Sequence, residues 1–468
     1  MRCWRRTLRA GPIWCNAPTS PSNNYIAAPR ARRPAPETSM RTPWQQAAAD
    51  DAALMSDFQT ICRFGGRLSG SGQDEAAMNW ALDRLREIGS DVRRVPVPYD
   101  GWRCLSSSLT LLGDAPMELE CVPLLRSAST DGQGLEGVIL DLGAGRPEDF
   151  ERAGESVRGR IVLVRHEYPF SHTHVHRRRK YDMAVAQGAA AFLIANPQPG
   201  AGPLSGSSGR PRDGAGIPAA YIGHEAASAL TAEAGARIRL HIQGEELRDS
   251  MACAGVLDLP GGRESRIVIS AHMDGHDLGQ SALDNATGVA VALAAARLLA
   301  KQLGPDTPGL RICFFTAEEW ALAGSARYLA DMPVAERQRL KLDINLDTVA
   351  GDDTLCALIS DYPALAGVVE DTAARAGVPV SHWLPFMPNS DHANFAKHGI
   401  PALRLVAGFE KPDSRVRHIL SRGDVPDIIL EDEMRNALAV TCAMASLALE
   451  MTDEDLDALK AGSTCPRI

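Results

Sequence analysis

The segment Ile267–Gly288, IVISAHMDGHDLGQSALDNATG, constrains the fold of this chain more than any other. Its first four residues form an apolar run, which is typical of a strand covered on both faces in a parallel sheet. His272 and Asp274 follow that run, and an apolar helix is predicted after Asp284 and Asn285. Since ligands bind at the carboxyl ends of the strands in open α/β sheets, we expect these side chains at a binding edge.

The segments that follow repeat this alternation of strand and helix. Strands are predicted at Leu310–Phe315, Leu342–Leu346 and Ala402–Val406, and helices at 287–303, 321–331 and 363–376. The predicted fold is therefore α/β, with a doubly wound, mostly parallel sheet that carries helices on both faces. With 468 residues, the chain is also longer than one hydrophobic core usually supports, so a second domain is expected.

Side chains that can bind metals follow the later strands as well. In chain order they are Glu318, Glu319, Asp347 and His418. Taken singly, each has a simpler explanation, because acids complement the dipole at a helix start and an aspartate often caps a turn. Taken together, two imidazoles and several carboxylates from different strands favour a metal site, and this donor set suits zinc.

Charge and composition exclude several classes of protein. The net charge is −9, although residues 1–43 hold eight arginines and a single acid, Glu37. The rest of the chain is therefore strongly acidic, which argues against a nucleic-acid partner. No apolar run approaches the roughly 20 residues needed to cross a bilayer, so no membrane span is predicted.

Residues 1–43 are predicted to be a disordered leader, because they are rich in Arg, Pro and Ser. They lack the apolar core of a secretory signal peptide. The ten cysteines include no C-x-x-C pair, and we interpret them as reduced thiols. Together these observations predict a cytoplasmic location.

Residues 118–250 differ in character from the rest of the chain. RGRIVLVRHEYPF, KYDMAVAQGAAAFLIANP and GIPAAYIGHEAASAL indicate strand, helix–strand and strand–helix, interrupted by a Gly- and Pro-rich loop. These segments resemble the protease-associated domain, an insertion found within several peptidase families, and the resemblance implies a cap over a catalytic domain. His172, His174 and His176 alternate within it. A solvated polar loop is the favoured interpretation, with a metal site as the alternative.

Five motifs in the α/β part of the chain resemble one enzyme family. They are HMD, the Asp-Asn before TGVA, TAEEWALAGS, NLD and SDHANFAKHGIPAL. In this order they resemble the co-catalytic zinc exopeptidases, which include leucyl-type aminopeptidases, glutamate carboxypeptidases and glutaminyl cyclases. The resemblance implies a peptidase domain in two parts, 44–117 and 251–460, with 118–250 inserted between them and the metal site in the second part.

Carried across position by position, the resemblance implies two zinc ions per chain. His272 and Asp347 would hold one ion and Glu319 and His418 the other, with Asp284 bridging both. Glu318 would be the general acid/base, and a cis peptide bond would follow the bridging aspartate.

Electrostatics supports this assignment. Two divalent cations about 3.5–4 Å apart repel by roughly 20 kcal/mol even at an effective dielectric constant near 20. Asp284, Glu319 and Asp347, with a bridging hydroxide, would match the four positive charges, and neutral imidazoles would complete each shell. Asp274 is predicted to accept the second N–H of His272 and so to fix its tautomer, which makes it part of the catalytic machinery.

The chain departs from the family pattern around the last histidine. In the family a tyrosine that stabilises the tetrahedral oxyanion usually precedes it, whereas here Arg417 precedes His418, so Arg417 is a candidate for that role. Asp391 and His392 lie in a motif that shapes the site in the family, and His392 competes with His418 as a ligand. His276 is interpreted as a loop residue.

The sequence thus predicts a zinc-dependent exopeptidase, with aminopeptidase as the leading activity. A carboxypeptidase or another small-amide hydrolase is one alternative, and a non-catalytic, receptor-like relative is another. The expected partner is a peptide or small amide, and the sequence leaves a homodimer open. Loops 381–391 and 408–418 are predicted to line the specificity pocket.

Overall fold

The structure is a computed structural model that describes residues 25–26, 41–211, 214, 216–232 and 234–468. The predicted leader, 1–43, lies almost entirely outside these residues. The strands, in chain order, are β1 (Tyr25–Ile26), β2 (Asp91–Pro98), β3 (Gly101–Leu112), β4 (Met117–Leu119), β5 (Cys121–Pro123), β6 (Leu135–Asp141), β7 (Ile161–Arg165), β8 (Ala191–Ala195), β9 (Ala219–Ile222), β10 (Arg237–Leu247), β11 (Met251–Leu259), β12 (Arg266–His272), β13 (Gly309–Phe315), β14 (Leu340–Leu346), β15 (Leu355–Leu358), β16 (Val380–Trp383) and β17 (Ala402–Ala407).

Short 3₁₀ turns and a set of α-helices connect these strands. The α-helices, in chain order, are α1 (Pro43–Asp50), α2 (Leu54–Arg63), α3 (Gln73–Arg86), α4 (Pro147–Ala153), α5 (Arg177–Ala186), α6 (His224–Thr231), α7 (Thr287–Leu299), α8 (Ala323–Asp331), α9 (Val334–Arg337), α10 (Leu365–Ala376), α11 (His392–Lys397), α12 (Glu431–Glu450) and α13 (Asp453–Ala458). Helices α1 and α2 are separate, because the Asp51 carboxylate accepts the main-chain N–H groups of Ala53 and Leu54 and starts a new helix there.

The larger sheet has the strand order β1-β16-β15-β17-β14-β12-β13-β11-β2 in the described part of the chain. Its centre, β13-β12-β14-β17, is parallel. On either side, the pairings β13–β11, β11–β2 and β17–β15 are antiparallel. Because β2 and β11 lead into and out of the smaller sheet, they need no crossover helix of the kind that joins parallel neighbours. The α/β class is confirmed, with antiparallel flanks around the predicted parallel centre.

Two groups of helices pack against this sheet. In one group α12 contacts α7, α1 and α10, and α7 and α12 both contact β12 and β14. In the other, α3 and α8 contact β2 and β11, and α11 contacts β14, β17 and α8. The carboxyl ends of the central strands remain between these helical layers, where side chains can meet.

One helical stretch, Ala282–Gln302, is long and apolar enough to cross a membrane by length and composition. Its apolar window, however, is 89% buried inside the protein. The stretch contains α7, which packs against both the sheet and α12. This degree of burial is that of a core helix.

The smaller sheet has the order β4-β3-β10-β6-β7-β8-β9-β5 among the described residues. Strands β6 to β9 are parallel, and α4 and α5 lie in their connections. The long strands β3 and β10 pair antiparallel beside them. Because β3 starts at Gly101, the smaller sheet begins before residue 118, where the insert was predicted to start.

The smaller domain is docked onto the loop that follows β17. The Tyr168 hydroxyl donates to the main-chain oxygen of Gly408 (2.7 Å), and the main-chain N–H of Glu410 donates to the oxygen of Phe170 (2.8 Å). The His172 ring nitrogen Nδ1 lies 2.8 Å from the Glu410 carboxylate. These contacts hold the segment 166–178 over the carboxyl edge of the larger sheet.

Candidate metal centre

Two groups of buried side chains share one residue at the carboxyl edge of the larger sheet. The first group is His272, Asp284 and Asp347, and the second is His276, Asp284 and Glu319. Within each group the candidate ligand atoms all lie within 4.8 Å of one another. Asp284 belongs to both groups, as a carboxylate between two cations would.

The orientation of His272 leaves one ring nitrogen available as a ligand. Its Nδ1 lies 2.9 Å from the main-chain oxygen of Asp274, which can only accept a hydrogen bond. In the neutral ring Nε2 therefore carries the lone pair, and it lies 2.9 Å from Oδ1 of Asp284 and 3.6 Å from Oδ2 of Asp347. The tautomer is thus fixed by the main-chain oxygen of Asp274 rather than by its carboxylate, which is 3.7 Å away.

The Asp274 carboxylate instead holds the turn that carries the two glutamates. It accepts the main-chain N–H groups of Glu318 (3.1 Å) and Glu319 (3.3 Å). Ala317, just before them, has a φ of 64°, a left-handed conformation that turns the chain sharply after β13. Asp274 is buried and acts by positioning Glu318 and Glu319.

Asp424, which the sequence analysis missed, fixes the main chain at Asp284. Its carboxylate accepts the N–H groups of Leu283 (2.6 Å) and Asp284 (3.3 Å). The predicted cis peptide bond between Asp284 and Asn285 is confirmed. The Asn285 side chain donates to the main-chain oxygen of Leu346 (2.8 Å), which ties this turn to the end of β14.

Asp347 follows β14 and carries a buried ion pair. Nη2 of Arg404, on β17, lies 2.9 Å from Oδ1 of Asp347, and the Thr348 hydroxyl donates to the same oxygen (3.0 Å). Burial would raise the pKa of Asp347, but Arg404 and His272 lower it below its usual range. The carboxylate is therefore ionised and ready to bind a cation.

Glu318 and Glu319 are buried acids in a strongly anionic environment. Burial raises the pKa of Glu318 well above its usual value, an effect that His272 opposes and Asp391 reinforces. Burial also raises the pKa of Glu319, and the carboxylates of Asp284 and Glu318 add to the shift. Acids crowded in this way are stabilised by a nearby cation.

The centre contains buried polar atoms without hydrogen-bond partners in the described part of the chain. They are Nε2 of His272, both ring nitrogens of His276 and Oε1 of Glu319. Such atoms are costly to bury, and one divalent cation in each group would satisfy them. Imidazole nitrogens combined with carboxylates form a donor set that suits zinc.

Comparison with known families agrees with this geometry. Peptidase family M28 matches residues 256–444, and the PA domain matches residues 126–230. The larger domain thus carries the match to the M28 peptidases, and the smaller domain carries the match to the PA domain. The family, the protease-associated insert and the metallopeptidase class predicted from the sequence are therefore confirmed.

Proteins similar in sequence to this chain include both aminopeptidases and carboxypeptidases. Aminopeptidase YwaD of Bacillus subtilis is 24% identical over 375 residues, which cover 76% of this chain and 77% of the relative. Carboxypeptidase Q of Pongo abelii is 25% identical over 411 residues, which cover 83% of each.

Solved structures share its fold. A zinc aminopeptidase from Bacillus subtilis, BSAP, has a TM-score of 0.67 at 21% identity and covers 89% of this chain and 98% of its own. A peptidase M28 precursor from Shewanella amazonensis has a TM-score of 0.71 at 21% identity, covering 87% of this chain and 96% of its own.

The second imidazole within the two ligand groups is that of His276, and not that of His418. His418 is half-buried in the 3₁₀ turn Arg415–His418 and belongs to neither ligand group. His276 is completely buried. Its main-chain N–H donates to the Ser281 hydroxyl (3.1 Å), and this bond holds the loop after β12 over the centre. The structure therefore brings His276, and not the predicted ligand His418, into the ligand groups, although His276 lies in a loop as predicted.

Arg417 does not take the position predicted for an oxyanion-stabilising residue. Its side chain is exposed, and Nη1 donates to the main-chain oxygen of Asp413 (2.8 Å) within its own loop. Ile419 and Leu420 line the cavity at the centre instead. The loop turns at Leu420, which has a φ of 63°, so Arg417 and His418 are directed elsewhere.

Asp391 and His392 are buried close to the centre but belong to neither ligand group. Asp391 accepts a short hydrogen bond from the Ser325 hydroxyl, and burial raises its pKa to about 7. Burial also lowers the pKa of His392, at the start of α11, to about 3. Both residues shape the packing around α8 and α11, and neither is placed to contact a metal.

The cavity over the centre has a volume of about 70 Å³ and is lined by both domains. The larger domain supplies Asp284, Glu318, Glu319, Asp347, Asn389, Arg404, Ile419 and Leu420, and the smaller domain supplies Pro169, Phe170, His174, His176, Arg177 and Arg178. Of the two predicted pocket loops, 381–391 contributes Asn389, whereas 408–418 is covered by the smaller domain. His174 and His176 therefore face the cavity, which corrects the interpretation of this segment as a solvated loop.

Proposed function

We propose that this chain is a zinc-dependent exopeptidase that binds two zinc ions. The observation that carries the proposal is the sharing of Asp284 between two buried ligand groups. His272 and Asp347 would complete one site, and His276 and Glu319 the other. The names of the relatives, which include a zinc aminopeptidase, support the choice of metal and of reaction.

Bound zinc would supply a Lewis acid and lower the pKa of water to about 7 at the centre. Proton transfer would be carried out by a side chain of the protein. Glu318 belongs to neither ligand group, yet it lines the same cavity beside Glu319. With a pKa raised by burial, it is suited to take a proton from the attacking water and to deliver it to the leaving amine.

The shape of the cavity favours an exopeptidase over an endopeptidase. The smaller domain places Phe170, Arg177 and Arg178 in the lining of the same cavity as the ligand groups. A polypeptide running through the site in both directions would collide with this wall, whereas the end of a short peptide would stop against it. The same wall supports the selection of short substrates.

The chain end that is recognised can be determined with matched substrates. Zinc-loaded protein would be assayed with aminoacyl arylamides, and with peptides whose amino group is acetylated. Preference for the free amino group would support the aminopeptidase activity that we predict, and cleavage of the acetylated set alone would assign a carboxypeptidase. Cleavage of neither set by protein containing two zinc ions would contradict the proposal.

Glu318→Gln tests the proposed acid/base directly. Activity should fall at least about 10²-fold while the zinc content stays unchanged, because general bases contribute about 10²–10⁴-fold. Glu151→Gln, an exposed change on α4, is the matched control and should leave activity unchanged. Full activity of Glu318→Gln would remove this residue from the mechanism.

A further inference from the structure

The wall of the cavity opposite the metal ligands is polar and cationic. It comes from the start of α5 and the segment before it, through His174, His176, Arg177 and Arg178. A wall that only excluded water would be apolar. A side chain of this wall can bind a substrate only if it has hydrogen-bonding capacity left.

Three of the four side chains are already held by the smaller domain. Nδ1 of His174 lies 3.0 Å from the main-chain oxygen of Ser171, to which it must donate. Nδ1 of His176 accepts the N–H of Arg178 (3.2 Å) and caps α5. Nε of Arg177 donates to the main-chain oxygen of Ser207 (3.0 Å).

Arg178 is different, because its guanidinium has no partner within the described residues. Among those residues no acid lies within ion-pair distance of it, and its buried Nε has no hydrogen-bond acceptor. Burial lowers the pKa of Arg178 to about 10, so the group remains positively charged at neutral pH. Arg178 is half-buried, and a guanidinium whose buried Nε lacks an acceptor has donors available for an anion.

The net charge of the cavity lining also favours an anionic ligand. Its lining holds the guanidinium groups of Arg177, Arg178 and Arg404 against four carboxylates, and Arg404 is paired with Asp347. Two bound zinc ions would make this lining net positive. An anionic group of the substrate would then be attracted to the unpaired guanidinium.

We infer that Arg178 binds the free α-carboxylate of the substrate, so that the substrates are dipeptides or other peptides that end one residue beyond the cleaved bond. The inference rests on the proposed exopeptidase function and adds its substrate class. Arg178, Glu318 and Glu319 line the same cavity of about 70 Å³, so only about one residue fits between them. His174 cannot take this role, because its remaining nitrogen carries a lone pair that would repel a carboxylate.

Three substrates with the same first residue separate this role from others: a dipeptide, its C-terminal amide, and the corresponding aminoacyl arylamide. Each would be assayed with zinc-loaded wild type, Arg178→Gln, Arg178→Lys and the control Arg179→Gln, whose side chain is exposed. We expect the wild type to prefer the dipeptide to its amide by at least about tenfold in kcat/KM, as an ionic hydrogen bond allows. Arg178→Gln should remove that preference mainly through KM, and Arg178→Lys should restore part of it.

The outcomes discriminate between the two proposals. An equal loss on all three substrates would overturn the inference, because Arg178 would then act on the reacting atoms or on the fold. No loss on the dipeptide would overturn it as well. If zinc-loaded wild type cleaves the acetylated peptides but none of the three, the inference alone fails; if it cleaves neither set, the proposed function itself fails. The thermal unfolding midpoint of each variant, compared with that of Arg179→Gln, separates loss of binding from loss of folding.

Discussion

The guanidinium of Arg404 lies 2.9 Å from the carboxylate of Asp347, so a proposed zinc ligand also carries a buried ion pair. Both side chains are buried, with exposed fractions of 2% and 3%. Removing one partner of such a pair leaves an uncompensated charge in the protein interior. Asp347 is therefore stabilised by Arg404 when no metal is bound, and a zinc ion would share this role.

Replacing Arg404 tests this relationship. Arg404→Met should lower the free energy of unfolding of metal-free protein by about 3 kcal/mol, the lower end for a broken buried pair. With zinc the loss should be smaller, because the ion compensates Asp347. Chemical denaturation with and without zinc measures both values. Arg327→Met, which breaks an exposed pair with Asp331, is the control and should cost less than about 1 kcal/mol. An equal loss in both metal states would contradict the expectation.

Zinc content distinguishes the two candidate histidines. His276→Ala should retain one tightly bound zinc ion and bind the second at least about 100-fold more weakly, because even loss of a ligand's hydrogen-bond partner costs about 10–100-fold. His418→Ala should keep two ions, since His418 lies outside both groups. Metal analysis after dialysis against a weak chelator gives the stoichiometry. Loss of zinc from His418→Ala alone would reverse the assignment.

Asp424 should stabilise the turn at Asp284. Asp424→Ala leaves the N–H groups of Leu283 and Asp284 buried without an acceptor. Each orphaned group costs about 1–3 kcal/mol, so the free energy of unfolding should fall by at least about 2 kcal/mol. Asp427→Ala, an exposed acid nearby, should change it by less than about 0.5 kcal/mol. Similar unfolding curves for the two variants would show that the carboxylate does not hold this turn.

Gly288 allows α7 to approach β14 closely. A Cβ atom at this position would lie 2.2 Å from the main-chain oxygen of Leu346, so the helix would have to move. Gly288→Ala should therefore destabilise the protein by about 1–3 kcal/mol. At Gly367, in the first turn of α10, a Cβ meets nothing within 4 Å, and Gly367→Ala should stabilise slightly. Thermal unfolding of both variants compares them, and opposite signs are expected.

The apolar runs in the sequence indicated the residues of the centre that lie at the ends of regular strands. His272 and Asp347 end or follow β12 and β14, and β13 leads into the turn with Glu318 and Glu319, so apolar runs were sufficient to place them at one edge. His276 could not be placed in this way, because its loop is held by Ser281 and lies near Asp424, far along the chain. The second histidine in HMDGH was the available signal.

The burial of residues 172–178 in the smaller domain could not be predicted from the sequence, for a different reason. The alternating histidines and the following arginines have the composition of a solvated loop, and their burial depends on how the domain is docked. That docking rests on contacts such as the one between Tyr168 and Gly408, which join residues 240 positions apart. No local pattern in the segment 172–178 encodes this partner, so the role of Arg178 emerged only from the structure.

The construction of the cavity from two domains separates the chemistry of the site from its choice of substrate. The ligand groups and Glu318 lie on the α/β domain, whereas the opposite wall, with Arg178, belongs to the inserted domain. Related chains could therefore acquire new substrates by altering the start of α5 while the catalytic apparatus remains the same. A chimaera that exchanges only residues 171–178 would be the smallest unit of such a change.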